Sequence, residues 1–154
     1  MKTAYIELNT TNHICSLSTT GEKPFFRHKG IVFYPNTTVT SLAEILHENY
    51  RYFVIDMGVL STYTSTEFLR CDKSFLVCSP SKWRCHATEE KIEKTFLNQQ
   101  KKNCFTLIMN LSEEESTSTI FSNSYHTISF PFISNPFQLQ PKHFRAISKL
   151  IQTL

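Results

Sequence analysis

A chain of 154 residues that is 40% hydrophobic and 13% aromatic holds enough apolar material for one domain with a true core. Its formal charge of +3 at pH 7 leaves nucleic acid open as a partner without supporting it. No run of about 18 apolar residues occurs, and the opening MKTAYIELN lacks the apolar stretch of a secretory signal, so the expected setting is the cytoplasm, with no transmembrane segment.

TAYIEL (Thr3 to Leu8) and GIVFY (Gly30 to Tyr34) are β-branched or aromatic runs that predict strands, the second closed by Pro35-Asn36, with a loop between them. Ser41 and Glu44 form a capping-box pattern around Leu42, Ile45 and Leu46, which predicts an amphipathic helix from Ser41. It leads into RYFVIDM, a buried strand ending on Asp56 and followed closely by Gly58. Next come a short apolar-polar segment around Glu67 to Leu69, a strand SFLVCS (Ser74 to Ser79), and an exposed helix from Thr88 to Lys102. In that helix Ile92 and Phe96 are four apart and Glu90 is placed to pair with Lys94. CFTLIMN (Cys104 to Asn110) is a further long apolar strand and HTISFPF a weaker one, separated by the Ser-rich SEEESTSTIFSNS, a flexible loop by composition. Behind Pro141, the closing segment sets Phe144, Ile147, Leu150, Ile151 and Leu154 on one helical stripe. Near-continuous apolar strands alternating with helices predict an α/β fold, a mostly parallel sheet with helices on both faces, in a single domain over residues 1–154.

Asp56 is the first chemical signal. In α/β sheets ligands bind outside the carboxyl ends of the strands, and a carboxylate there suits Mg²⁺; the plainer reading is a cap on a neighbouring helix or backbone turn. A phosphate loop needs G-x-x-x-x-G-K-[ST], yet the only glycines are Gly21, Gly30 and Gly58, and none has that spacing. No catalytic residue is therefore assigned. TGEKPF is like the linker between zinc fingers but lacks flanking pairs of Cys and His. Cys71, Cys78, Cys85 and His86 form the one local cluster of metal-ligating types, and without a C-x-x-C they are read as ordinary packing and surface residues. The six histidines show no triad order, and Trp83 is expected to pack a loop. Lys142, Arg145 and Lys149 line the polar side of the last helix. Its stripe is expected to cover a sheet, with peripheral membrane contact as the alternative.

From KTAYIELN through RYFVIDMG, EFLRCDKSFLVCSPSKW, FTLIMN and SFPFISNPFQL, nearly the whole chain resembles the MinD/ParA-type P-loop ATPases with their deviant Walker A motif. The chain resembles especially the divergent, CpaE-like pilus-assembly members. The resemblance implies a P-loop NTPase-like, Rossmann-like three-layer fold entered after the family's first strand and phosphate loop, an N-terminally incomplete domain. It also implies roles: Asp56 matches the Walker B aspartate and Gly58 the glycine of the second switch. Glu7 or Asn9 falls in the first switch, where the family has aspartates, which makes Glu7 a weaker Mg²⁺ contact. Asn110 matches the asparagine that reads the adenine edge, and the loop from Pro131 through Asn135 to Phe137 matches the one that closes over the base.

On this resemblance no cofactor belongs to the chain alone, and ATP with Mg²⁺ is implied where a phosphate loop is supplied. The expected function is a degenerate or truncated member of the family, a non-catalytic regulatory or protein-interaction subunit. A protein partner or a second copy in a homodimer would dock on an exposed first-strand edge and an uncovered helix site. The alternative is an ATPase of pilus assembly or partitioning whose P-loop comes from upstream sequence or a second chain. A third reading is a receiver-like signalling domain with Asp56 as phospho-acceptor, for which Glu7 alone stands in place of the usual acidic pair.

Overall fold

The alternation in TAYIE sends Thr3, Tyr5 and Glu7 to one side of a strand and Ala4 and Ile6 to the other, and both sides are used. The computed structural model describes residues 2–18, 23–79, 81–96, 104–111, 125–135 and 138–152, in two compact units, residues 1–59 and 60–154.

In the first unit β1 (Thr3–Glu7) is paired in parallel on both sides, with β3 (Ile31–Tyr34) and with β4 (Tyr52–Asp56). β2 (Phe26–His28) runs antiparallel on β3, giving the order β2-β3-β1-β4. The first strand is thus central and offers no edge, contrary to expectation, and the edges belong to β2 and β4. The expected loop before β3 also resolves into structure, a 3-10 helix (His13–Leu17) and β2. A three-residue strand containing Arg and His is too short to show a pattern in sequence. Its register is fixed by the two-residue turn Lys29-Gly30, with φ of 48° and 82°, the positive-φ pair that matches the twist of a tight hairpin. Gly30 therefore belongs to the turn and not to the strand.

Helix α1 (Val39–Leu46) starts two residues before the predicted Ser41, because Thr38 is the cap: its hydroxyl oxygen accepts from the Ser41 backbone N–H at 3.2 Å. Leu42 and Ile45 bury against Ala4, Ile6 and Leu8 on one face of the sheet. The opposite face is closed over β1 and β3 by Ile14 and Leu17 of the 3-10 helix, which meet Tyr5, Phe26, Ile31 and Phe33. That cover stops short of β4. Phe53 and Ile55 pack toward α1, whereas Tyr52 and Val54 on the other face are 47% and 49% exposed. RYFVIDM is consequently a half-covered edge strand, although its composition suits burial on both faces.

The second unit contains α2 (Ser65–Arg70), β5 (Phe75–Cys78), α3 (Lys82–Phe96), β6 (Thr106–Leu111), β7 (Thr127–Pro131) and α4 (Pro141–Gln152). Its three strands are all parallel, in the order β5-β6-β7. The molecule is therefore α/β, with a mixed sheet and a parallel sheet; four of the five strand pairings are parallel, and the β2–β3 hairpin is the exception. The second core is aromatic: Phe68, Phe96 and Phe105 lie with ring centroids 5.5 to 6.1 Å apart, beside buried Ile92 and Leu107. Helix α3 begins at Lys82, earlier than the predicted Thr88, since KWRCHA carries no apolar repeat to announce its first turns. Residues 97–102 of that predicted helix and the Ser-rich loop 112–124 lie outside the described residues, as do the side chains of Trp83 and Cys85.

Helix α4 packs against β7, but its predicted stripe is rotated. Phe144 and Ile151 are 55% and 58% exposed, Ile147 and Leu150 are half-buried, and the innermost side chain is His143. The cause is a cap. His143 Nδ1 accepts from the Gln140 backbone N–H at 3.1 Å, the reach-back that a Glu makes in a capping box. His143→Ala removes this bond, and should lower unfolding free energy by about 1 kcal/mol. Urea denaturation followed by circular dichroism measures the loss, and His143→Gln, which can accept the same bond, should recover part of it.

Candidate functional site

Strands β3, β1 and β4 are mutually parallel and deliver three carboxyl ends to one end of the sheet, where an α/β architecture leaves room for ligands. The loops that leave them are tied to one another through backbone. Leu8 N–H donates to the Asp56 carbonyl at 2.8 Å, and Thr37 N–H donates to the Glu7 carbonyl at 2.9 Å. Glu7 and Asp56 face each other in register across β1 and β4, so two carboxylates stand side by side on one face of the sheet.

Each carboxylate has its own set of donors. Asp56 Oδ2 accepts from the Tyr5 hydroxyl at 2.8 Å, and Oδ1 accepts from the Gly58 backbone N–H at 2.9 Å. Its carbonyl also receives the Asn9 side-chain amide at 3.2 Å. Glu7 lies deeper, with 0% of its surface exposed. Its Oε1 accepts from the His13 backbone N–H at 2.7 Å, which satisfies the first turn of the 3-10 helix, and from the Thr11 hydroxyl at 3.4 Å. Its Oε2 is buried and has no hydrogen-bond partner among the described residues. Thr11 in turn donates its backbone N–H to Asn9 Oδ1 at 2.9 Å, and its hydroxyl donates to the same oxygen.

Tyr5 was not foreseen as part of this site, although it stands two residues before Glu7 on the same strand face, where the period of two places it. Burial, the hydrogen bond to Asp56 and the negative charges of Asp56 and Glu7 push its hydroxyl well above the ordinary tyrosine range. It stays protonated and keeps donating. Gly58 is required by geometry: its φ is +64°, and a Cβ placed there would meet Asn9 Cβ at 2.9 Å.

The remaining predicted residues fall in the second unit. Asn110 sits near the end of β6 in register with Phe130, and Pro131 ends β7 opposite Leu111, so both occupy strand carboxyl ends of the parallel sheet. Asn135 lies in the loop after β7, its carbonyl accepting from Gln138 N–H at 3.0 Å. The side chain of Asn110 and residues 136–137 of the predicted base loop are outside the described residues. The cysteine cluster is not a shared site among the described residues: Cys78 is buried, and the Cys71 thiol is pushed up by burial and by Asp72 and Glu67. Among the described residues no group of three or more His, Cys, Asp or Glu side chains is placed to hold a metal ion. Comparison with known proteins finds no matching family model, curated protein or solved structure.

Two outcomes follow from this geometry. Gly58→Ala should cost about 1–3 kcal/mol of stability, from the left-handed backbone together with the close approach to Asn9. The loss should shrink by about 0.5 kcal/mol or more in an Asn9→Gly background, as read from a double-mutant cycle in urea. The second outcome concerns alkali. An unfolded tyrosine titrates near pH 10, whereas Tyr5 and, through burial and Tyr50, Tyr34 hold their protons to higher pH in the fold. The folded state then binds more protons than the unfolded chain, so the tyrosine contribution to stability is complete below about pH 10 and falls as pH rises further. Tyr5→Phe should flatten that fall in thermal melts across this range, leaving the shares due to Tyr34, to Tyr125 and to the Cys71 thiol, which are raised as well.

Proposed function

We propose that this chain is a MinD/ParA-like domain that acts in the cytoplasm as a non-catalytic regulatory or protein-interaction subunit. The single observation that carries the reading is the double commitment of Asp56. Both of its carboxylate oxygens are taken, one by the Tyr5 hydroxyl and one by the Gly58 amide. An aspartate so engaged acts as a brace for the loop after β4. The same engagement weighs against the receiver-like reading, in which an Asp56 oxygen must be free to attack phosphorus. Phosphoryl transfer depends on cations and N–H donors placed around the phosphates, and the three glycines of the sequence supply no such cradle.

Surfaces for a partner are present in each unit. Tyr52 and Val54 leave an apolar strip on β4, and Phe144 and Ile151 do so on α4 beside Lys142, Arg145 and Lys149, which keeps peripheral membrane contact within the reading. Among the described residues no helix is long and apolar enough to cross a membrane.

A second reading, an ATPase of the pilus-assembly or partitioning class completed by a phosphate loop from elsewhere, is favoured by the orphaned Glu7 Oε2. Glu7 Oε2 and, in the loop that follows β1, Asn9 Oδ1 and Thr11 Oγ1 are hard oxygens of the type that Mg²⁺ selects. Mg²⁺ bound with ATP would neutralise phosphate charge. Glu7 would hold the ion, while Asp56 would first have to release Tyr5 or Gly58.

Phosphate release from Mg·ATP tests whether the purified chain is catalytic, and its melting temperature in Mg·ATP separates the two readings, since the second calls for binding even while its phosphate loop is elsewhere. The expected rate equals the blank and is unchanged in Asp56→Asn. Turnover that disappears in Asp56→Asn would overturn the non-catalytic reading. A rise in melting temperature with Mg·ATP that is absent in Glu7→Gln would move support to the second reading.

A further inference from the structure

Asp56 and Glu7 are register partners on β4 and β1, yet the Asp56 side chain is tied elsewhere. Its Oδ2 reaches diagonally back to the Tyr5 hydroxyl at 2.8 Å, two residues before Glu7 on β1, while Oδ1 accepts from the Gly58 backbone N–H at 2.9 Å. The carboxylate is fixed at both oxygens. Glu7 is the reverse case, because Oε1 accepts from the His13 amide and the Thr11 hydroxyl, whereas the buried Oε2 has no hydrogen-bond partner among the described residues. One carboxylate is fully engaged and its neighbour has an oxygen to spare. Of the two donors on the Asp56 carboxylate, the Gly58 amide belongs to the backbone, and the Tyr5 hydroxyl is the one supplied by a side chain. The Tyr5 ring is positioned separately, at 5.4 Å from Phe33.

We infer that the Tyr5 hydroxyl is a built-in block on cation binding, which keeps Asp56 Oδ2 from joining Glu7 Oε2 around a divalent ion. Mg²⁺ and Mn²⁺ are held by one or two carboxylates with water in the remaining positions, and two carboxylates on one sheet face are a donor set of that kind. Asp56 is only half-buried, so an ion reaches the pair from its side. The obstacle is the hydrogen bond. An ion sits about 2.1 Å from its oxygen, closer than the hydroxyl it must displace, and a carboxylate tied by both oxygens cannot turn toward Glu7 while Tyr5 holds it. Hydrogen bonds to a charged acceptor are among the stronger ones, and the loss of this one counts against the ion. Glu7 alone offers a single oxygen. A neutral hydroxyl thus occupies the place where a cation would draw the two carboxylates together. The inference deepens the reading of Asp56 as a brace and rests on it, and it assigns the brace to one removable group.

The test is Mn²⁺ binding to the full chain without nucleotide, followed by the electron paramagnetic resonance signal of the free ion. Tyr5→Phe keeps the ring against Phe33 and removes the hydroxyl alone, and it should bind Mn²⁺ about tenfold or more tightly than the parent. Tyr5→Leu, equally unable to donate, should shift binding in the same direction. Tyr34→Phe, which removes the hydroxyl bonded to Tyr50 at 2.8 Å in the same unit, should bind as the parent does. Adding Asp56→Asn or Glu7→Gln to Tyr5→Phe should abolish the gain, and Mg²⁺ should compete with Mn²⁺ in Tyr5→Phe and raise its melting temperature. The inference fails if Tyr5→Phe and Tyr5→Leu, with the circular dichroism spectrum of the parent, bind Mn²⁺ no more tightly than it does. It fails equally if the gain survives either carboxylate substitution, or if Tyr34→Phe gains as much. No ATP is present, so this result is separate from the phosphate release that tests the non-catalytic reading.

Discussion

Two carboxylates placed opposite each other on adjacent parallel strands repel, and the first unit is arranged around keeping Glu7 and Asp56 together despite it. The solution divides the available donors. Asp56, half-buried, is served by Tyr5 from the neighbouring strand and by Gly58 two residues ahead. Glu7, fully buried, is served by the His13 amide and the Thr11 hydroxyl of its own following loop. Each bond fixes the path of one loop, so the electrostatic demand of two side chains becomes the conformation of the segments after β1 and β4. The demand is only partly met, because Oε2 of Glu7 is buried with no hydrogen-bond partner among the described residues, a deficit that sets it apart from an otherwise well-bonded core.

The loops show what that costs in backbone terms. Asn12, which precedes the 3-10 helix, Asn36 after β3 and Gly58 after β4 all have positive φ, at 53°, 50° and 64°. These are the residue types that tolerate the left-handed region, and each follows one of the three parallel strand ends. Left-handed residues let the chain turn sharply there, so the His13 and Gly58 amides point back at the Glu7 and Asp56 carboxylates and the Thr37 amide at the Glu7 backbone carbonyl. Tyr5 joins the loops to the sheet, since its ring is held 5.4 Å from Phe33 while its hydroxyl reaches Asp56. Core packing and site geometry therefore share one residue.

How much of this the sequence discloses depends on whether a feature is local. The apolar runs around Ile6, Val32, Ile55, Val77 and Ile108 all became strands, because period and composition act within a few residues. Asp56 and Gly58 could be located at a strand end by the same reasoning. Features decided by distant residues were not legible. β2 exists because a tight turn folds Phe26 back onto Phe33, and nothing within three residues reveals that. Thr38 outcompetes Ser41 as a cap by a choice between two equally good hydroxyls. His143 caps α4 by accepting from Gln140, a role usually filled by Glu or Gln. Glu7 is singled out in the sequence only through the resemblance, and its full burial follows from β3 and β4 flanking β1 on both sides.

The two edges of the first sheet carry opposite chemistry, and that difference follows from how each edge is reached. β2 arrives through a hairpin, is three residues long and is flanked by Lys23, Arg27 and Lys29, so charge dominates it. β4 arrives after a helix, is five residues long and is apolar on both faces, with Arg51 stacked 5.6 Å over Tyr52 at its start and Asp56 at its end. The 3-10 helix that closes the sheet over β1 and β3 is only five residues long and cannot also cover β4. Parallel strands normally have both faces covered, so the strip of Tyr52 and Val54 is a surface that the first unit alone leaves unsatisfied. A basic edge selects by charge and an apolar edge by area. One sheet thus ends in two edges of unlike chemistry, because the hairpin that forms β2 and the segment that forms β4 differ in composition.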